Sequence, residues 1–275
     1  MKRAEIEFMK YGCIVPVPAG EVRILQLTDI QIIDASQQRY VGRLRGGEEI
    51  RWLPENVWEN AFRFVDEAVS RTDPHLLVIT GDNVYGEFDD SGAQNRAFVK
   101  FIDSFRIPWA TVFGNHDNGY YNYRDFTSDE LRSALEQNGV TILEDESVQI
   151  RDGLYLVGRQ DAGVPQRADA QTLTAALDPA SYIIMADHQP NDYANEAESG
   201  ADLVLSGHTH GGHIFPAGQI GLLTGVNDRI YGTETRGSTS FFVTSGISGW
   251  AIPFKTGTFS EICIIDIAEA GASAS

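Results

Sequence analysis

Short apolar runs, each stopped by a glycine or a polar residue, alternate along this chain with longer stretches whose apolar positions recur at helical spacing. Residues 22–28 alternate and then run apolar, which predicts the first core strand. Pro54, Glu55 and Asn56 open a helix, and Val57, Trp58, Ala61, Phe62, Val65, Ala68 and Val69 fall on one face of it before Asp73 and Pro74 end it. A second strand, residues 76–80, follows at once. Strand, helix and strand in that order form a crossover unit, and such units build parallel sheets. Residues 93–105 predict a second helix, with Ala97, Phe98, Phe101, Ile102 and Phe105 on one face. Residues 107–113 predict a third buried strand, and residues 128–138 a helix that Gly139 stops.

From Val140 onward the pattern shortens. Strands are expected at 141–143, 148–150 and 154–158, the last two joined at Asp152-Gly153, a hairpin signal. A short helix over 169–177 precedes apolar strands at 182–186 and 203–206. Beyond Gly212 the periodicity predicts strands at 218–224, 240–244 and 258–267, with a Gly/Ser turn at 245–250. Residues 1–20 read as a short strand or arm on the domain edge, 32–53 as one long loop, 118–126 as an aromatic-rich loop, and 268–275 as a small, polar, disordered tail. No linker composition interrupts the chain and no internal repeat is found. The expectation is one domain over 1–275 with its core at about 22–267, an α/β sandwich of two mixed sheets with helices outside.

The polar residues that stop the strands carry the chemistry. The first strand runs into Asp29, Ile30 and Gln31, and the second into Gly81, Asp82 and Asn83. The third runs into Gly114, Asn115, His116 and Asp117. Strand 182–186 runs into Asp187, His188, Gln189 and Pro190, and strand 203–206 into Gly207, His208, Thr209, His210, Gly211 and Gly212. Any one of these alone is an ordinary polar turn. Together they place carboxylate, amide and imidazole groups past several buried strand ends, the edge at which open α/β sheets bind ligands. Asp29 and Gln31 are two apart, so on an extended strand end they face one side and Ile30 the other.

Taken in chain order, Asp-x-Gln, Gly-Asp-Asn, Gly-Asn-His-Asp, His and Gly-His-Thr-His resemble the calcineurin-like metallophosphoesterase superfamily, over roughly residues 22–267. The resemblance implies a four-layer α-β-β-α sandwich. It implies one metal on Asp29, the Gln31 position and His210, a second on Asn115, His188 and His208, and Asp82 bridging both. Two aspartates, an asparagine, three histidines and Gln31 are too many ligands for one ion and suit two about 3.5 Å apart. Mixed oxygen and imidazole donors without thiolate suit Mn²⁺, Fe²⁺/Fe³⁺, Zn²⁺ or Co²⁺. A metal-bridging hydroxide is the implied nucleophile for hydrolysis of a phosphodiester or phosphomonoester. His116 would act on the transferring phosphoryl group or the leaving group, with Asp117 fixing its tautomer and orientation.

One position departs from the pattern: Gln31 stands where the family usually has histidine. Its oxygen-donor amide favours Mn²⁺ at the first position, or the side chain turns away and water fills the gap. The run Gly81-Asp82-Asn83-Val84-Tyr85-Gly86 lacks the Gly-Asp-x-x-Asp-Arg-Gly of the Ser/Thr protein phosphatases, and there is no room for the extra domain of 5′-nucleotidases. The Gly-His-Thr-His-Gly-Gly run and the late Gly/Ser turn look like the small bacterial phosphodiesterase-type members. The alternative is a non-catalytic scaffold on the same fold with a weakened metal site, as in the retromer subunit that shares it.

The formal net charge of −18 on 275 residues disfavours strong nucleic-acid binding and attraction to anionic membrane. A small phosphorylated substrate remains compatible, since a metal site reverses the local field. Arg39 and Arg43, in the long loop with Arg45 and Arg51, are either solvated charges or a clamp on a substrate phosphate. His213, just after Gly211-Gly212, is a candidate substrate contact, while His75 reads as a surface turn residue. Cys13 and Cys263 read as reduced, buried thiols. No apolar run is long enough to cross a bilayer and the N-terminal residues lack a signal-peptide core, so the expected location is the cytoplasm. Oligomeric state is not set by the sequence.

Overall fold

The structure, a computed structural model, describes residues 9–14, 22–31, 41–43, 49–51, 57–84, 107–119, 126–249 and 255–268. Two sheets lie face to face. The first has the order β1 (Met9–Ile14), β14 (Cys263–Ala268), β2 (Val22–Leu27), β5 (Leu76–Thr80), β6 (Trp109–Val112) and β7 (Thr141–Ile142). From β2 to β7 its neighbours are parallel, and β14 runs antiparallel to β2. The second has the order β12 (Gly232–Arg236), β13 (Thr239–Val243), β11 (Leu203–Ser206), β10 (Tyr182–Ala186), β9 (Leu154–Gly158) and β8 (Glu146–Arg151). Its four inner strands are parallel and its two edges antiparallel.

The near-continuous apolar runs follow from this layering, because strands covered on both faces need apolar side chains on both. Val22, Ile24, Leu76, Val78, Ala110 and Val112 of the first sheet meet Leu154, Leu156, Ile184, Ala186, Leu203 and Leu205 of the second in a shared core. Their sequence neighbours Leu25, Leu27, Leu77, Ile79 and Trp109 point outward, under Val65 and Ala68 of α1 (Val57–Thr72) and Leu131 and Leu135 of α3 (Ser128–Gln137). A capping box starts α3: Thr127 Oγ1 accepts from Glu130 N and Glu130 Oε2 accepts from Thr127 N at 2.7 Å. On the outer face of the second sheet, Ile183, Met185, Val204 and Phe241 pack beneath α4 (Ala170–Thr174) and α5 (Tyr193–Glu198), with Tyr193 stacked on Phe241. Helix, sheet, sheet, helix is the four-layer arrangement expected.

Several expectations need correction. Residues 218–224 do not form a strand: α6 (Gln219–Leu223) is helical, closed by local bonds such as Gln219 N to Pro216 O and Thr224 N to Ile220 O. Residues 32–53 are not one loop throughout, since β3 (Val41–Arg43) and β4 (Glu49–Arg51) pair antiparallel within them. The final strand starts at Cys263 rather than at 258. Strand β12 was not expected, because its sequence, Gly-Thr-Glu-Thr-Arg, has no apolar side chain to carry a period of two. The expected helix at 93–105, Arg39, most of the aromatic loop and the tail beyond 268 lie outside the described residues. Cys263 is buried and free; the Cys13 side chain lies outside the described residues. Among the described residues no helix is long and apolar enough to cross a membrane.

Candidate metal centre

All the ligand-type residues singled out lie just past the C-terminal ends of parallel strands, three from one sheet and two from the other. Asp29 and Gln31 follow β2, Asp82 follows β5, and Asn115 and His116 open the single turn α2 (Asn115–Asn118) after β6. His188 follows β10, and His208 and His210 follow β11. The expectation that Asp29 and Gln31 lie on an extended strand end fails, because the strand stops at Leu27. Both residues adopt left-handed backbone, φ 50° and 47°, and so do Asp82 (52°), His208 (68°), His210 (49°) and His213 (44°). Such conformations cost non-glycine residues about 1–3 kcal/mol each and persist where surrounding bonds fix them. Here Asp29 N bonds to Gly81 O at 3.1 Å, Gln31 N to Asp82 O at 3.0 Å, and His208 N to Asp29 Oδ2 at 3.0 Å. His116 N donates to Asp82 Oδ1 at 2.9 Å.

The glycines let these loops close on one another. Gly81 has φ +92°, and a Cβ there would run into the His188 ring and come within 2.9 Å of Gly114 N. A Cβ on Gly207 would strike the Thr28 hydroxyl and lie 2.7 Å from Asp29 Oδ2. Asp117 fills the gap between two of the loops. Its carboxylate accepts from Asn83 N (2.9 Å), Val84 N (3.1 Å), Asn83 Nδ2 (2.9 Å) and Gly114 N (3.0 Å). Those four bonds fix the Gly-Asp-Asn turn against Gly-Asn-His-Asp.

The imidazoles are set from behind. His188 Nδ1 lies 2.7 Å from the Thr80 carbonyl, and His210 Nδ1 lies 3.0 Å from the Ser248 carbonyl. A carbonyl only accepts, so each Nδ1 carries the proton and each Nε2 faces the centre, the arrangement typical of metal-ligating histidine. His188 Nε2 is 3.3 Å from Asp82 Oδ2 and 3.2 Å from Asn115 Oδ1. His208 stands edge-on to His188, centroids 5.1 Å apart. Asp82, His188 and His208 can bring one donor atom each within 4.8 Å of one another. His210 Nε2 is 3.6 Å from Asp29 Oδ1 and 3.4 Å from Gln31 Nε2. Buried among these groups, Asp29 Oδ1 and Gln31 Oε1 have no hydrogen-bond partner.

The electrostatics of this cluster are those of a site built around positive charge. Burial pushes the Asp29 carboxyl up to about 6. Burial works against charge on His188, but the Asp82 carboxylate outweighs it and holds the ring at about 10. Burial opposes charge on Asp82 too, yet His188 and His116 carry its carboxyl below the usual range. His208 is pushed down to about 4 by burial and by His188, and His210 well down by burial and by Lys255. Without a metal, then, a proton on His188 fills the gap between Asp82 and Asn115. The donor set, the orphaned acceptors and the fixed tautomers all fit divalent cations.

His116 sits beside the cluster with Nε2 3.9 Å from Asp82 Oδ2. The His213 ring lies 5.6 Å from that of His210. Of the two arginines singled out, Arg39 is outside the described residues, and Arg43 lies on β3 with its side chain outside them. Sequence reasoning passed over a clasp formed by the turn after β13. Ile247 N donates to Thr28 O (3.1 Å), Ser248 N to Asp29 O (3.0 Å) and Ser248 Oγ to Ile30 O (2.8 Å), while Ser248 O holds His210. Lys255 Nζ ties the same turn through Ser245 O (2.5 Å) and Gly246 O (3.1 Å). The signal was present: this Gly/Ser turn also follows a parallel strand at the ligand edge.

The family model for calcineurin-like phosphoesterases matches residues 22–212, and the chain belongs to that family. It is 28% identical over 253 residues to an uncharacterized metallophosphoesterase of Helicobacter pylori, covering 89% of this chain and 59% of that protein. It is 32% identical over 168 residues to an uncharacterized metallophosphoesterase of Aquifex aeolicus, covering 58% and 60%. The chain thus spans about three-fifths of the length of these relatives. Among solved structures, the calcineurin-like phosphoesterase YfkN from Bacillus subtilis aligns over 94% of this chain and 93% of that one, at 15% identity and a TM-score of 0.42.

Proposed function

We propose that this chain hydrolyses a phosphodiester or phosphomonoester of a small substrate at a centre of two divalent ions. The observation that carries the reading is that His188 Nε2 lies 3.3 Å from Asp82 Oδ2 and 3.2 Å from Asn115 Oδ1, with the His188 tautomer fixed by Thr80. Asn115, His188 and His208 would hold one ion, Asp29, Gln31 and His210 the other, and Asp82 both. When bound, such ions lower the pKa of coordinated water and polarise phosphoryl oxygens.

The remaining roles fall to the chain's own groups. His116, beside the cluster but outside the proposed ligand set, would donate a proton to the leaving oxygen or a hydrogen bond to the phosphoryl group. Arg39, Arg43 and His213 are the candidates for holding the substrate phosphate. A non-catalytic binding role is the second reading, favoured by Gln31, whose amide nitrogen rather than its oxygen faces His210. Hydrolysis of p-nitrophenyl phosphate and bis-p-nitrophenyl phosphate by metal-stripped protein, with and without added Mn²⁺, separates the two. Metal-restored turnover supports the enzyme; no turnover with any divalent ion, by folded protein, supports the binding role.

A further inference from the structure

The two halves of the cluster are not equivalent. Around Asp82, His188 Nε2 lies 3.3 Å from Asp82 Oδ2 and 3.2 Å from Asn115 Oδ1, so an ion there has to displace only a proton on His188. Around Asp29 the gap is filled from within the chain. Gln31 Nε2 lies 3.4 Å from His210 Nε2 and 3.5 Å from Asp82 Oδ2. Both neighbours are acceptors, because Ser248 O claims the Nδ1 proton of His210 and Asp82 is a carboxylate. The end of the amide that faces them is therefore its NH₂, whose two protons satisfy the two lone pairs that a cation would take. The opposite end of the amide, Oε1, is left buried with no partner, and so is Asp29 Oδ1. Asp82, His188 and His208 bring donor atoms within 4.8 Å of one another, and Asp29 Oδ1 and His210 Nε2, 3.6 Å apart, stand beside the amide.

We propose that the Gln31 amide acts as an internal stand-in for the second cation, closing the Asp29/His210 position. The chain then keeps one resident ion on Asp82, Asn115, His188 and His208 and takes the other reversibly. Entry of the second ion requires the amide to turn about its last torsion, so that Oε1 rather than NH₂ faces His210 and Asp82. That turn gives the buried oxygen the partner it lacks, beside Asp29 Oδ1, which also has none. An amide oxygen is a hard, neutral donor, so the exchangeable position selects Mn²⁺ or Mg²⁺ over Zn²⁺. Occupancy of this position, and with it any activity that needs both ions, then follows free Mn²⁺ across a range in which the resident ion stays bound. This inference rests on the two-ion reading above and makes a separate claim about it.

Calorimetric titration of the metal-free full chain with Mn²⁺, with bound metal counted by native mass spectrometry, tests it without reference to turnover. The expected result is two steps separated by at least about tenfold in Kd, the scale on which single supporting groups change metal affinity. Gln31→Glu cannot donate and offers an anionic oxygen, so it should tighten the weaker step and leave the stronger one unchanged. Gln31→His should do the same and raise Zn²⁺ affinity at that step. Circular dichroism confirms the fold of each variant. Two ions bound with equal affinity by the wild-type chain, or a weaker step unmoved in both folded variants, would overturn the stand-in role while leaving the two-ion centre intact. Failure of folded wild-type protein to bind any ion would overturn the two-ion reading and this inference with it.

Discussion

Nε2 of His188 lies 3.3 Å from Oδ2 of Asp82, across the join between the two sheets. Asp82 comes from the end of a strand in the first sheet and His188 from the end of a strand in the second. The Thr80 carbonyl, one strand residue before Gly81, holds the far side of the His188 ring. The first sheet therefore both orients the second sheet's imidazole and supplies the carboxylate it faces.

Asp82→Asn should reduce metal at both positions and activity with it, because one carboxylate serves both halves of the cluster. The loss should exceed the roughly 10–100-fold that removal of a supporting group costs. Metal counting by mass spectrometry on purified wild type and variant checks it. Two ions per chain with wild-type turnover would show that Asp82 bridges nothing.

His116→Ala should keep the metals and slow turnover by about 10²–10⁴-fold, the usual contribution of a general acid. The deficit should shrink for phosphoesters whose leaving groups need no proton. A leaving-group series run on both proteins reads this directly, and equal losses across the series would argue against proton donation.

Gly81→Ala should damage the centre without touching a ligand. The φ of +92° disfavours any side chain, and the added carbon meets the His188 ring and the Gly114 backbone. A cost of about 1–3 kcal/mol from the backbone alone should appear as a lower Tm, together with a lower metal content. Unchanged Tm and metal content would mean that the loops are not as closely apposed as described.

Metal binding should release protons near neutral pH. His188, held at about 10 by Asp82, carries a proton in the metal-free chain at pH 7, and an ion at Nε2 must displace it. Affinity at that position should therefore rise with pH, by about tenfold per unit for one exchanged proton. Below about 6, protonation of Asp29 should weaken the other position as well. Calorimetry in buffers of differing ionisation enthalpy counts the protons; heats independent of buffer would contradict the pairing.

The architecture and the neighbourhood of the site were legible because both rest on strong signals. Runs such as Leu76–Thr80 are apolar on both faces and stop abruptly at Gly81 and Asp82, which predicts a covered parallel strand with polar chemistry at its end. What was illegible depends on backbone conformation or tertiary contact. Alternation placed Asp29 and Gln31 on one side of an extended strand, whereas left-handed backbone turns them toward the centre. Glu234 and Arg236 on β12 carry no hydrophobic period, and their strand is fixed by pairing with β13. Ile220, Leu222 and Leu223 have a strand-like composition, yet local bonds at Pro216 and Ala217 wind them into a helix. Ser248 works through its carbonyl and a hydroxyl bond to Ile30, functions that no residue type announces.

We propose that Asp82, Asn115, His188 and His208, with Asp29, Gln31 and His210 beside them, hold the ions. An anomalous difference map from crystals of the full chain grown in Mn²⁺ tests it most directly. A strong peak is expected within about 2.0–2.3 Å of Asp82, His188 and His208 donor atoms, with a weaker second peak between Asp29 and His210 that grows with Mn²⁺ concentration. A well-ordered cluster with no anomalous peak at Asp82, or Mn²⁺ bound only elsewhere on the chain, would contradict it.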